Sequence, residues 1–480
     1  MNPGVPGTDR STEAEGDGPT HVLPANVHPP TVRATIGAPA RSVERSFLDQ
    51  YDALAQGGLP PADVAKAQFA LLADWLTNRP EPLFSELRQA KPIFVPTLGP
   101  VLVTCFRDAI EAFGLDDVFT VKPAADAIKI LVGDHPFILG MDDSAARDND
   151  ESILRLAVKR SDVDLIRAQV ASECEAITGA AGGAALDIVK DYGSTVPLRL
   201  AGSYFGVPGP DVPTLRRWLR AMFRATFRNP SRNADVDAAG KTAAAEYLNY
   251  VNRLVADAHA NTAAGCRPGR RRRRPPPPNT VLHRLVAMQS DPNSSFDDAA
   301  LAHNLSSLLM GMIDTTNAAV NFAVDVLLDE PAHLASAAAA AAAGDDALLL
   351  RHILEALRFS PPVPLLARVS TAEVVLAKGT DRATSVPAGR LVYIAAGSAM
   401  MDEIAIDSPR EFRLDRPLDN YLHLGWGLHR CFGRAIAQVL MVEMVKALVT
   451  RKNLRRAPGA AGQPAFDGPF LESFSVVFDR

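Results

Sequence analysis

The apolar positions of this chain fall mostly at helical spacing. Stripes recurring every three or four residues run through 62–78, 151–176, 185–206, 241–258, 298–328, 345–359 and 434–451, and each predicts a helix with one buried face. Alternation of period two is sparser, appearing in 92–105 (PIFVPTLGPVLVTC), 369–377 (VSTAEVVLA), 390–396 and the terminal FSVVF. The pattern predicts a mainly α, α+β fold with small sheets. Periodic structure begins near Ser42; residues 1–41 are rich in proline and poor in large apolar side chains, which predicts a disordered tail.

Two biased segments interrupt the pattern. Arg270 to Arg274 repel one another and Pro275 to Pro278 forbid helix, so 266–279 reads as a flexible loop between helices rather than a nucleic-acid patch. The run Ala337 to Ala343 favours helix but is too short and too weakly apolar to span a membrane, and it predicts surface helix filler.

Composition then removes whole classes. With 480 residues, 47% hydrophobic and 22% charged, the chain is globular rather than fibrous or disordered. Its 50 basic and 55 acidic side chains leave a net charge of −5, which gives no general attraction to nucleic acid or anionic membranes. No window reaches the roughly 18 apolar residues of a span, and the start of the chain lacks a secretory signal. Cys105, Cys174, Cys266 and Cys431 form no CxxC pair, so neither a disulfide framework nor a zinc site is expected, and a cytoplasmic protein is.

Chemistry concentrates around Cys431. The stretch LGWGLHRCFG, Leu424 to Gly433, precedes the helical pattern RAIAQVLMVEMVKALV and puts the cysteine just before a helix N-terminus, where the dipole and free N–H groups are expected to lower its thiol pKa. Gly425, Gly427 and Gly433 let the backbone approach a flat partner. Taken alone, a single cysteine is more often a buried apolar residue than a ligand.

The spacing of the loop resembles the haem-binding loop of cytochromes P450: aromatic, Gly, any, Gly, any, His or Arg, any, Cys, any, Gly. Leu424 stands where the aromatic is usual. The resemblance implies Cys431 as axial ligand to the iron of haem b, with Gly425 and Gly433 close to the macrocycle and His429 on a propionate. Other segments resemble the same family, in order. Glu355 and Arg358 form an ExxR pair, otherwise readable as an exposed helix pair, and PREFRLDRP nominates Arg416 as its third member, a structural triad. Arg368, beyond Pro361, Pro362 and Pro364, matches a strand arginine that meets a propionate, with a surface arginine as the other reading. An acid and two hydroxyls are costly in the apolar stretch 298–328 unless paired or working. There, GMIDTT resembles the oxygen-activating part of the long distal helix, which assigns a hydrogen bond to oxygen to Thr315 and a proton relay to Asp314. Met312 replaces a usual Gly. In 120–160 the match loosens, with Arg155 at a propionate arginine and Glu151 at the usual histidine; Met400 and Met401 stand where Asn-Arg is frequent.

The resemblance covers Ser42 onward, one haem domain over 42–480 with haem between the distal long helix and the proximal cysteine loop. It implies a monomeric monooxygenase that uses O2 to hydroxylate or epoxidise a small lipophilic molecule, of the kind found in secondary metabolism. Electrons would come ultimately from NAD(P)H, through a ferredoxin or flavodoxin with its reductase docking on Arg430, Arg434, Lys446, Arg451, Lys452, Arg455 and Arg456. Leu308, Met312, Leu365 and Leu366 are the expected pocket contacts, within lining segments near 120–145, 205–235, 300–312, 361–368 and 468–474. Competing readings are peroxide-driven oxygen transfer, hydroperoxide rearrangement, and a non-catalytic haem carrier or sensor.

Overall fold

A computed structural model describes residues 34, 36, 46–133, 137–229, 232–265, 279–290, 296–468 and 470–479. The run Arg270 to Pro278 and Cys266 lie outside the described residues, as does nearly all of 1–41. Within that stretch, however, Ala34 is buried and its N–H donates to the carbonyl of Phe359 at 2.8 Å, so this part of the expected tail is docked.

The fold is built around one long helix, Asp298–Asp329, which Asp297 caps by accepting from the N–H of Ala300. Apolar residues occur on all its sides, and it is buried accordingly, with helices Val212–Phe227, Asp346–Phe359 and Arg434–Val449 packed against it. A five-stranded sheet lies to one side in the order Ile93–Phe94, Val101–Val103, Leu391–Ile394, Leu366–Ser370, Phe119–Thr120. Only the pairing of Val101–Val103 with Leu391–Ile394 is parallel. Period-two alternation divides its side chains between two cores: Phe94, Leu102 and Tyr393 pack with Trp75 and Leu83, while Ile93, Val101, Val103, Val392 and Ile394 pack with Ala109 and Phe113.

Three predicted segments are broken by tertiary contacts. The stripe 151–176 divides into Ala145–Ala157 and Val163–Ala181, because Arg284 takes the carbonyl of Ala157 and the carboxylate of Asp162, and Asp162 also accepts from the Tyr204 hydroxyl at 3.0 Å. In 185–206, π-helical turns Ile188–Gly193 and Ala201–Phe205 flank the α-turn Thr195–Leu200. Pro197 removes a donor there, and Gly193 lies so close to Asn317 that a Cβ would come within 2.1 Å of its Oδ1. The strand expected over 369–377 is two strands, Leu366–Ser370 and Val374–Leu376, in different sheets. The alanine run lies in helix Pro331–Ala342, where Ala337, Ala340 and Ala341 are buried; one face of it belongs to the core rather than the surface.

Candidate functional site

The cysteine loop is held by its own backbone. The N–H of Cys431 donates to the carbonyl of Leu424 at 2.8 Å, which closes the loop, and Gly425 and Gly427 turn it with φ of +70° and +65°. At Gly427 a Cβ would also lie 2.9 Å from the carbonyl oxygen of Phe113, so glycine is required twice over. Helix Arg434–Val449 starts at once after Gly433. Cys431 is accessible but walled by protein, and its thiol pKa runs against the expectation from the helix N-terminus. Burial raises it, more than the N–H of Gly433 and the charges of Arg155 and Arg434 lower it. A thiolate here therefore needs a cation bonded to the sulfur.

Behind the loop, Glu355, Arg358 and Arg416, the three residues that the resemblance grouped, meet in a buried lock rather than an exposed helix pair. Arg358 donates from Nε and Nη2 to the two carboxylate oxygens at 3.0 and 2.8 Å, and Arg416 donates from Nε at 3.0 Å. Their spare N–H groups reach the carbonyls of Pro409, Asp407, Ser408 and Glu411, which fixes the segment leading to the cysteine. Tyr421, absent from the sequence reading, gives Glu355 a fourth side-chain donor at 3.0 Å. The two methionines serve as sulfur acceptors: Met401 Sδ lies 3.2 Å from Arg358 Nη1, and Met400 Sδ 3.2 Å from the N–H of Leu422.

Beside the cysteine loop, Arg147, Arg368 and His429 gather. Arg147 donates to the carbonyl of Leu428 at 3.0 Å and pairs with Glu151 at 2.9 Å, but its Nε is buried without a partner. Arg368 is 7% exposed, and among the described residues its side chain's hydrogen bond is to the carbonyl of Ala367. His429 Nε2 is likewise buried and unpartnered, 3.7 Å from Asp142 Oδ1. Burial, then the charges of Arg368 and Arg147, push His429 down to about 3 and keep it neutral. Asp116 and Asp142 act on Arg368 only through their charge. Arg155 is not part of this cluster. It bonds the carbonyl of Phe432 at 3.1 Å, lies 4.1 Å over the Phe432 ring and pairs with Glu151, half-exposed on the outside of the loop. Arg147, one turn earlier than Glu151 on the same helix face, occupies the inner place that sequence assigned to Arg155.

On the long helix, the Thr315 hydroxyl donates to the carbonyl of Gly311. Asp314 faces Arg216, Arg220 and Arg228 and also Glu472; burial raises its pKa to about 6 against the pull of the arginines. Because the folded-state value exceeds the ordinary 3.8 of an aspartate, Asp314 favours folding most below pH about 4, and that contribution is lost as the pH rises through about 6. Asp314→Asn escapes the loss. Its stability relative to the parent is expected to rise by about 2–3 kcal/mol between pH about 4 and about 8, read from denaturant unfolding; a constant difference refutes the buried carboxylate.

Of the expected pocket residues, Leu308 and Met312 lie against the main core on the long helix. Leu365 and Leu366 alternate to opposite faces of the sheet, one in each of the two smaller cores, so they do not share a pocket. The basic surface is also reduced. Lys446, Arg451, Arg455 and Arg456 are engaged in ion pairs, whereas Arg430, Arg434 and Lys452 have none among the described residues.

The donor set fits haem: a cluster with unmet N–H capacity beside the loop suits two carboxylates, and Cys431 is exposed on that loop. Residues 240–471 match the family model for cytochrome P450. A stretch of 118 residues is 37% identical to the Psi-producing oxygenase A of Emericella nidulans, covering 25% of this chain but 11% of that protein. Cyclomarin C epoxidase CymV of Salinispora arenicola is 27% identical over 290 residues, 60% of this chain and 67% of its own length. Among solved structures, CalO2 superposes with a TM-score of 0.69 at 21% identity, covering 88% of this chain and 98% of that one. The chain has the cytochrome P450 fold, and its residues 240–471 match that family. No helix among the described residues is long and apolar enough to cross a membrane.

Proposed function

We propose that the protein is a haem-dependent monooxygenase that inserts one oxygen atom from O2 into a small lipophilic molecule, by hydroxylation or, as the name of the Salinispora relative suggests for that protein, epoxidation. The observation that carries the reading is the buried cluster of Arg147, Arg368 and His429 around the loop that presents Cys431. In this reading Cys431 ligates the iron, Arg147, Arg368 and His429 take the propionates, and Gly425 and Gly433 give the backbone room. Bound there, haem supplies the activation of dioxygen.

The chain's own groups do the rest. The Glu355, Arg358 and Arg416 lock holds the cysteine segment rigid. Thr315, whose hydroxyl donates to the Gly311 carbonyl, would offer a hydrogen bond to dioxygen, and Asp314, its pKa raised by burial to about 6, would hold or release a proton on the same side of the long helix. Electrons come from NAD(P)H through a separate ferredoxin- or flavodoxin-type partner, whose acidic face meets Arg430 and Arg434 beside Phe432. The deciding experiment supplies the reconstituted redox chain with isotopically labelled dioxygen. Label in the product supports the proposal; label appearing only from labelled hydrogen peroxide without reductant replaces it with peroxygenation.

A further inference from the structure

Asn304, on the long helix Asp298–Asp329, is fully buried, and its side-chain amide joins three separate parts of the chain. Its Oδ1 accepts from the main-chain N–H of Ile138 at 3.1 Å. Its Nδ2 donates to Asp150 Oδ2 at 2.8 Å and to the carbonyl of Ala300, one turn earlier, at 3.1 Å. The partners fix which end of the amide is which, because a main-chain N–H can only donate and a main-chain carbonyl can only accept. Asparagine suits the place: aspartate has no N–H for Asp150, and leucine has nothing for either partner.

The Ile138 N–H opens the single turn Ile138–Gly140, and the first N–H groups of a turn find no partner within it. Ile138 and the preceding Phe137 are both buried, so without Asn304 that N–H would be stranded away from water. On its other side the turn is pressed against helix Lys122–Val132, where a Cβ on Gly140 would lie 2.7 Å from Ile128 Cδ1 and 3.2 Å from the Cα of Ala125. Leu139, next in the turn, reaches the long helix at Gly311, where a Cβ would lie 3.9 Å from Leu139 Cδ1. Gly311 is seven residues beyond Asn304, close to two full turns, so the two share one face of the helix about 10 Å apart. The turn therefore lies along that face, pinned by its main chain at one end and touching with its side chain at the other. Gly311 is also the residue whose carbonyl receives the Thr315 hydroxyl. Asp150 stands one turn after Arg147 on helix Ala145–Ala157, so the same amide also holds the helix that presents Arg147 to Leu428.

We propose that Asn304 is a positioning residue: by holding Ile138 and Asp150 with one amide it keeps Leu139 against Gly311, and so limits the bulk of the molecule that fits beside Thr315. The proposal rests on the reading of the Thr315 side of the long helix as the ligand side of a haem pocket, and it deepens that reading by naming what sets the size of the space. Asn304 acts through the main chain of Ile138 rather than by contact with the ligand.

The test titrates imidazole and 4-phenylimidazole, a small and a bulky nitrogen ligand for iron, into the haem-loaded protein and follows the Soret band. Asn304→Ala is expected to raise the affinity for 4-phenylimidazole relative to imidazole by about fivefold, the factor that corresponds to one buried hydrogen bond. Leu139→Ala, which removes the wall directly, should raise the same ratio by as much or more. The double variant should gain no more than Leu139→Ala alone, because one residue acts through the other. Asp150→Ala, which leaves the Ile138 bond in place but frees the amide, should move the ratio the same way by less, and it carries the test if Asn304→Ala does not fold. A second readout is independent of haem: exchange of the Ile138 amide hydrogen should quicken by about tenfold or more in Asn304→Ala, while amides in helix Arg434–Val449 keep their rates. Equal shifts for both azoles in Asn304→Ala, full additivity in the double variant, or an unchanged Ile138 exchange rate overturns the proposal. No Soret response of the parent to either azole counts against the haem reading, and the exchange rates of Asn304→Ala and Asp150→Ala then decide the clamp by themselves.

Discussion

Glu355→Gln is expected to destabilise the protein by about 3–5 kcal/mol, the range for removing one partner of a buried charged network. The carboxylate receives five donors on two oxygens: Nε and Nη2 of Arg358, Nε of Arg416, the Tyr421 hydroxyl and the N–H of Arg413 at 2.9 Å. Glutamine offers one oxygen and turns an NH2 toward donors, so two guanidinium groups are left buried without a counter-ion and at least one donor faces another. The surface ion pair Lys122 to Asp126 gives the contrast: both side chains are more than half exposed, and Asp126→Asn is expected to change stability by less than about 0.5 kcal/mol. The large cost has a pH signature. Burial raises the Glu355 pKa, but the hydrogen bond and charge of Arg358, then Arg413 and Arg416, lower it by more, and the net value lies below the ordinary 4.5 of a glutamate. A depressed carboxylate stabilises above its unfolded pKa and loses that contribution as the pH falls through the folded value. The gap between parent and Glu355→Gln should therefore be full near neutrality and shrink below pH about 4.5, measured by denaturant unfolding at each pH. An equal gap at all pH values would mean that lost packing, rather than charge, dominates.

The lock was legible only through the family resemblance: spacing alone put Glu355 and Arg358 on one helix face and left them readable as an exposed pair, while Arg416, 58 residues beyond Arg358, was nominated by the resemblance of its proline-bounded loop. Glycine positions around Cys431 were legible for a local reason, since a positive φ and a close backbone approach leave no other residue. Whatever depended on which side of an element faces the site was not. Arg147 and Arg155 are two turns apart on the helix Ala145–Ala157, both one turn from Glu151, and only packing decides which goes inward. Leu365 and Leu366 are equally apolar, yet strand alternation sends them to different cores. The helix Val212–Phe227 carries buried Leu215, Leu219, Met222 and Phe223 at helical spacing, but its arginines masked the stripe, and their inward face could not be seen without Glu472 and Asp314 beside them. The thiol of Cys431 failed in the other direction. Sequence places the thiol before a helix N-terminus, while its burial in the folded chain raises the pKa by more.

Cys431→Ser should leave the fold intact and remove the chemistry. The loop is closed by main-chain atoms, the Cys431 N–H and the Leu424 carbonyl, which serine keeps, and the exchange of sulfur for oxygen at an accessible position is expected to cost less than about 1 kcal/mol. A hydroxyl is a far weaker donor to iron than a thiolate, so the reduced, carbon monoxide-bound Soret band should leave the thiolate position, and turnover should fall by about two orders of magnitude or more. The other described cysteines supply internal controls. Cys105 and Cys174 are buried, and burial, reinforced by nearby acids, pushes each thiol up to about 12, so neither can serve as a thiolate at neutral pH. Cys105→Ser and Cys174→Ser should change the melting temperature through lost packing while leaving the Soret band where it was. Of the described thiols only Cys431 has accessible sulfur, a glycine-opened neighbourhood and two arginines, Arg155 and Arg434, whose charge favours the anion. A thiolate-type band that survives Cys431→Ser would therefore remove the ligand assignment and, with it, the basis for oxygen activation at this loop.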